Sequence, residues 1–213
     1  MAFLPQTREE LHNTVTHLIG AVAAASMMWI LIVLASPHGW KWTMGVLFLA
    51  IGTVLMYSFS TAYHWTHQGH AKRVMRILDH IGIYVMIACS YTPLCIAVIG
   101  GWVGWAVFGM LWGVVVAGSV YKITAIGKYP RLSLFLYLLM GWSAVFIAKP
   151  ILESVSALPL ALLLAEGLAY TFGTYFFAHD DRRLYHAVWH LFVLLGTVFH
   201  WAAVIAILMS LPD

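Results

Sequence analysis

Apolar residues gather along this chain in seven blocks, at about 17–36, 43–63, 79–99, 102–121, 132–149, 155–177 and 186–210. Each approaches the ~20 residues that carry a helix across ~30 Å of hydrocarbon. None alternates apolar and polar positions over about ten residues, as the strands of a membrane barrel do. The pattern predicts an all-α fold, a seven-transmembrane helix bundle that forms a single integral membrane domain over residues 1–213. The breaks are short and polar or rich in Gly and Pro. Ser36-Pro37-His38-Gly39 ends the first block, and His64 to Arg76 separates the second from the third. Gly100-Gly101 makes a minimal turn before the fourth, and Lys122 to Arg131 follows it. Lys149-Pro150 closes the fifth, and His179 to Arg183 precedes the seventh. Connections this short make successive helices antiparallel neighbours. Glu9 and Glu10 ahead of the first block do not match the basic start of a cleavable signal, so that block is expected to remain as the first span.

Against this background the polar residues stand out. The last block carries His186, His190 and His200. At 3.6 residues per turn His186 and His190 share a face. Imidazole in hydrocarbon is costly, so that face should meet protein, a cavity or a metal. His200 lies about 15 Å deeper, out of reach of the same metal shell. Ser60 and His64 repeat the i, i+4 spacing at the end of the second block, and Asp79 is expected at the start of the third. Glu10, Asn13 and His17 share one face at the start of the first. Glu166, alone inside the sixth block, should pair, protonate or mark a path, with Tyr170 one turn along as a hydrogen-bonding neighbour. His80 is expected to point about 100° away from Asp79, toward another helix or the headgroups. Pro93 leaves a carbonyl near Cys89 without its helical donor, which predicts a kink that widens a cavity outward from Asp79.

Composition fits this picture: 62% of the 213 residues are hydrophobic and only 9% charged, far below the charge of soluble domains. The net charge of +3 does not signal nucleic-acid binding, because Lys and Arg are confined to the short breaks. Their placement is the useful signal. Arg8, Lys72, Arg73, Arg76, Lys122, Lys128, Arg131, Arg182 and Arg183 fall on the N-terminal side, and only Lys41 and Lys149 fall opposite. Basic residues concentrate on the cytoplasmic face, so the N-terminus is expected in the cytoplasm and the C-terminus outside. Cys89 and Cys95 lie within one block and read as packing residues, not a disulfide.

With that orientation, His64, Asp79, His186, His190 and His17 arrive at one depth near the cytoplasmic leaflet. Three neutral imidazoles with one open position describe a catalytic zinc site, where a water becomes acidic enough to attack a carbonyl. Asp79 suits the general base, and Ser60 could hold it or a developing oxyanion. Glu10 and Asn13 could orient a histidine ligand, and His17 belongs beside them more than among the ligands.

These residues also carry a family resemblance. Glu10-x-x-Asn13-x-x-Thr16-His17, Ser60-x-x-x-His64, Leu78-Asp79-x-x-Gly82 and His186-x-x-x-His190, followed by His200, resemble the hemolysin III branch of the progestin and adiponectin receptor family across the whole chain. The resemblance implies one zinc ion on His64, His186 and His190, with Asp79 near the metal's water. It further implies kinship with membrane amide hydrolases of the ceramidase type and residence in a bacterial cytoplasmic membrane.

The expected function is therefore zinc-dependent hydrolysis of an amide or ester bond in a membrane lipid or lipid-like substrate, serving lipid homeostasis. The competing reading is a non-enzymatic membrane sensor in which zinc braces the cytoplasmic helix ends. A closed metal site would favour the sensor, and a site opening on a cavity would favour the hydrolase. An ion pathway through Asp79, His200 and Glu166 would need a continuous polar route. Substrate identity and oligomeric state are left open by the sequence.

Overall fold

The computed structural model describes residues 7–212. The ordered elements are α1 (Arg8–Ala35), α2 (Trp40–Trp65), α3 (His70–Pro93), α4 (Gly101–Ala125), α5 (Pro130–Gly141), α6 (Ala148–Ser154), α7 (Ala157–Ala178) and α8 (Tyr185–Met209), with no strand among the described residues. Seven stretches are long and apolar enough to cross a membrane. The chain is a multi-pass membrane protein of seven helical spans.

Two helices begin well before their apolar blocks. α1 starts at Arg8 and α3 at His70, not near residue 79, so Asp79 sits more than two turns inside α3. The polar leading turns fold because they bury against one another: Asn13, His17 and Lys72 are all buried. The fifth span differs too. It runs to Ser154, beyond Lys149-Pro150, and is broken into α5, a 3-10 segment Trp142–Ile147 and α6. Pro150 lies in the first turn of α6, where a missing N–H costs no helical hydrogen bond.

A break in a membrane helix frees backbone groups that lipid cannot satisfy. Tyr91 of α3 meets this need, donating its hydroxyl hydrogen to the Gly141 carbonyl and accepting from the Ala144 amide at 2.9 Å. Downstream of Pro93, α3 passes into a π-helical segment, Leu94–Ile99. Gly100 and Gly101, with φ of 60° and 54°, then turn the chain into α4.

Cross-helix contacts set the register. α1 and α8 run parallel, with Thr16 level with His190. α7 and α8 run antiparallel, with Glu166 level with His200. Tyr57 of α2 and Tyr170 of α7 both reach the Thr197 hydroxyl, at 2.7 and 3.3 Å, tying three helices at mid-depth. Where α2 meets α3, Gly82 lies against the backbone of Met56, which brings Asp79 level with Ser60 and about one turn deeper than His64.

The closest approach involves α4. A Cβ at Gly104 would stand 2.0 Å from the Cys95 carbonyl oxygen, whereas one at Gly109 would meet nothing within 4 Å. Gly104→Ala should therefore cost about 1–3 kcal/mol, read as a lower unfolding temperature in detergent. Gly109→Ala should leave that temperature unchanged or raise it.

Candidate metal centre

His64 sits in the last turn of α2, and His186 and His190 in the first two turns of α8. The start of α8 is set by Leu184, the one non-glycine residue with positive φ (66°) among the described residues. That conformation costs about 1–3 kcal/mol and persists only where its surroundings impose it. It ends the turn from His179 and aims both histidines at α2. The ring centroids of His64, His186 and His190 lie 4.7–5.1 Å apart. Each offers one nitrogen to a group whose members all lie within 4.8 Å of one another.

The outer nitrogens show which atoms remain for a ligand. His64 Nδ1 lies 2.6 Å from Glu10 Oε2, and the other Glu10 oxygen accepts from Lys72 Nζ at 2.7 Å. His190 Nδ1 donates to the Asn13 carbonyl at 3.2 Å and lies 2.9 Å from Thr16 Oγ1. A carbonyl only accepts, so the His190 proton sits on Nδ1 and its Nε2 presents a lone pair. His64 follows the same logic, and its buried Nε2 has no hydrogen-bond partner in the protein. His186 Nδ1 stands 3.7 Å from Asp180 Oδ2. Asp180 lies in the loop before α8, and the His186 imidazole beside it holds its carboxyl below the usual range, against partial burial, which raises it. Oxygen acceptors behind the ring and a bare nitrogen in front form the arrangement that metal-binding histidines require. Three such imidazoles suit zinc and also copper, iron or nickel. The residues present could hold a metal ion.

Asp79 stands outside the three-histidine group but lines the same cavity, which measures about 170 Å³ and is also lined by Ser60, His186 and His190. No hydrogen bond joins Ser60 to Asp79 among the described residues. Glu10 lies behind one candidate ligand, and Asn13 behind another through its backbone carbonyl, not its amide. His17 stacks on His190 with centroids 3.5 Å apart, and neither of its nitrogens has a partner. His80 does not turn away from Asp79: it lines the cavity, with Nδ1 3.6 Å from Asp79 Oδ2. His200 and Glu166 pair with each other at 2.7 Å and line the far part of the same cavity. Tyr170, expected near Glu166, binds Thr197 instead.

The sequence does not place Lys72 or Asp180 at the site, and it names Thr16 only within the family motif. Lys72 looked like a loop residue because hydropathy starts the third span too late. Thr16 carried a usable signal, since it lies three residues beyond Asn13 on one helical face.

A family model for Haemolysin-III related proteins matches residues 5–201. The chain belongs to the hemolysin III family. It is 35% identical over 200 residues to "Hemolysin-3" of Bacillus cereus, covering 93% of this chain and 91% of that one. It is 32% identical over 206 residues to "Hemolysin-3 homolog" of Bacillus subtilis, covering 96% and 97%. A more distant relative is the human "Monocyte to macrophage differentiation factor", 26% identical over 223 residues and covering 95% and 85%. The wider likeness to receptors of the progestin and adiponectin type thus extends to animal proteins. No solved structure matches the chain.

The carboxylate behind His64 makes a quantitative prediction. Glu10→Gln should keep the fold but weaken metal binding about tenfold or more, measured by titrating the metal-stripped protein with zinc against a competing chelator. Unchanged affinity would remove Glu10 from the site.

Proposed function

We propose that this protein is a metal-dependent membrane hydrolase that cleaves an amide or ester bond of a lipid-like substrate. The observation that carries the reading is one cavity with two kinds of wall. At one end lie Asp79, Ser60, His186 and His190, with His64 the third member of the histidine cluster, and beyond them the lining is largely apolar, including Met56, Ile83, Met86, Ile87 and Leu138. A polar reacting group and an apolar chain would each find a matching surface.

His64, His186 and His190 would hold the metal, with zinc the first candidate. A divalent metal bound there supplies a Lewis acid that polarises a carbonyl oxygen and acidifies water. Asp79 takes the proton from the attacking water and returns it to the leaving amine or alcohol. Ser60, at the same level, donates a hydrogen bond to the developing oxyanion. Glu10, the Asn13 carbonyl and Asp180 keep the ligand rings oriented. The apolar walls seat the chain and keep bulk water from the reacting bond. The excess of basic residues on this side supports an inner-leaflet position, and in a bacterial cytoplasmic membrane such an activity would adjust membrane lipid composition.

The runner-up is a sensor with a bracing metal, favoured by the way the histidine cluster ties the ends of α2 and α8 to α1. One experiment separates the two: metal content and hydrolysis of a panel of lipid amides and esters, for wild type and Asp79→Asn in lipid nanodiscs. The hydrolase reading expects the variant to keep its metal and lose about 100-fold or more in rate. A metal-loaded wild type that hydrolyses none of the panel would support the sensor.

A further inference from the structure

The far end of the cavity holds a second polar site. His200 is buried and Glu166 half-buried, with side chains 5% and 13% exposed, and the two are joined by a 2.7 Å hydrogen bond through His200 Nδ1. His200 Nε2 is buried, has no partner in the protein, and belongs to a side chain that lines the cavity. A polar atom left bare in an apolar setting costs about 1–3 kcal/mol, and a pair held this deep in hydrocarbon is costly to keep. The neighbouring polar groups are already committed. Tyr170 bonds Thr197, Tyr91 serves the break in the fifth span, and Ser90 donates to the Ile87 carbonyl. Of these groups, only His200 Nε2 is left without a partner.

We propose that His200, oriented by Glu166, forms a subsite for a hydroxyl group carried on the chain of a lipid whose carbonyl lies at the histidine cluster. The hydroxyl follows from the chemistry of the nitrogen. With its proton on Nδ1, facing the Glu166 carboxylate, His200 presents a lone pair and needs a donor. With the proton on Nε2, it needs an acceptor. A hydroxyl is both, and it carries no charge into an apolar cavity. The spacing follows from α8 itself: His190 and His200 are ten residues apart on one helix, about 15 Å along its axis. The favoured ligand is therefore a long-chain lipid with a hydroxyl about 15 Å from its carbonyl. This inference takes from the proposed function that the cavity receives a lipid chain with its carbonyl at the histidine cluster, and it does not depend on turnover.

The test is a binding comparison using a long-chain methyl ketone, which has no bond to hydrolyse, and its counterpart bearing a hydroxyl about 15 Å along the chain. Wild-type protein in nanodiscs should bind the hydroxylated ketone roughly fivefold to tenfold more tightly. His200→Phe, which keeps a ring but no nitrogen, should bind both equally and keep its metal. Independently of any variant, the Nε2 resonance of His200 in ¹⁵N-histidine-labelled wild type should shift with the hydroxylated ketone and not with the plain one. Equal binding of both ketones by wild type, or a preference retained in His200→Phe, would overturn the subsite while leaving the hydrolase reading standing. Failure of both ketones to bind would overturn both. A preference without hydrolysis of any lipid would remove the hydrolase alone.

Discussion

The arrangement depends on how buried imidazoles are satisfied where water is scarce. A neutral histidine has one nitrogen that donates and one that accepts, and in a membrane interior each needs a partner built into the protein. α1 supplies most of them. Glu10 lies behind His64, and Asn13 and Thr16 lie behind His190, so the first helix fixes rings carried by the second and the last. With these outer nitrogens engaged, the inner ones converge. Lys72 completes the set by neutralising Glu10 while donating to the Tyr63 carbonyl at 2.8 Å, so the half-buried carboxylate is not left uncompensated.

The rest of the bundle serves this convergence. The left-handed Leu184 starts α8 where His186 and His190 can face α2. The close approach of Gly82 to Met56 sets the slide of α3 that brings Asp79 level with Ser60. Tyr57 and Tyr170 meet on Thr197 between the two polar ends of the cavity. The broken fifth span is held by Tyr91, and residues from both sides of that break, Leu138 and Ala144 among them, form a cavity wall.

Much of this was legible in the chain. Hydropathy shows seven spans because lipid-facing helices must be apolar over their length, and the i, i+4 pairs Ser60/His64 and His186/His190 mark the faces that turn inward. Helix starts were less legible. Hydropathy records where a helix meets lipid, not where it begins, so the polar turns His70–Leu78 read as a loop, and Lys72 is lost with them. His80 is expected to face another helix or the headgroups, and α5 does pack alongside it, with Tyr137 donating to the His80 carbonyl; its closeness to Asp79 is not legible from the angle on one helix. The Glu166–His200 pair was missed for a related reason. Each residue was conspicuous alone, but their meeting depends on the antiparallel register of α7 and α8, which no local pattern encodes. The break in the fifth span has no strong local mark either, since its compensation comes from Tyr91 on another helix.

The central claim is that three imidazoles, each backed by an oxygen, form a metal-binding centre. Elemental analysis of the protein purified without added metal or affinity-tag metal tests it most directly, comparing wild type with His64→Ala and His190→Ala. The account predicts about one divalent ion per wild-type chain and a near-complete loss in either variant, with the helical circular dichroism signal retained. A wild type without metal, or variants that keep the wild-type content, would contradict it.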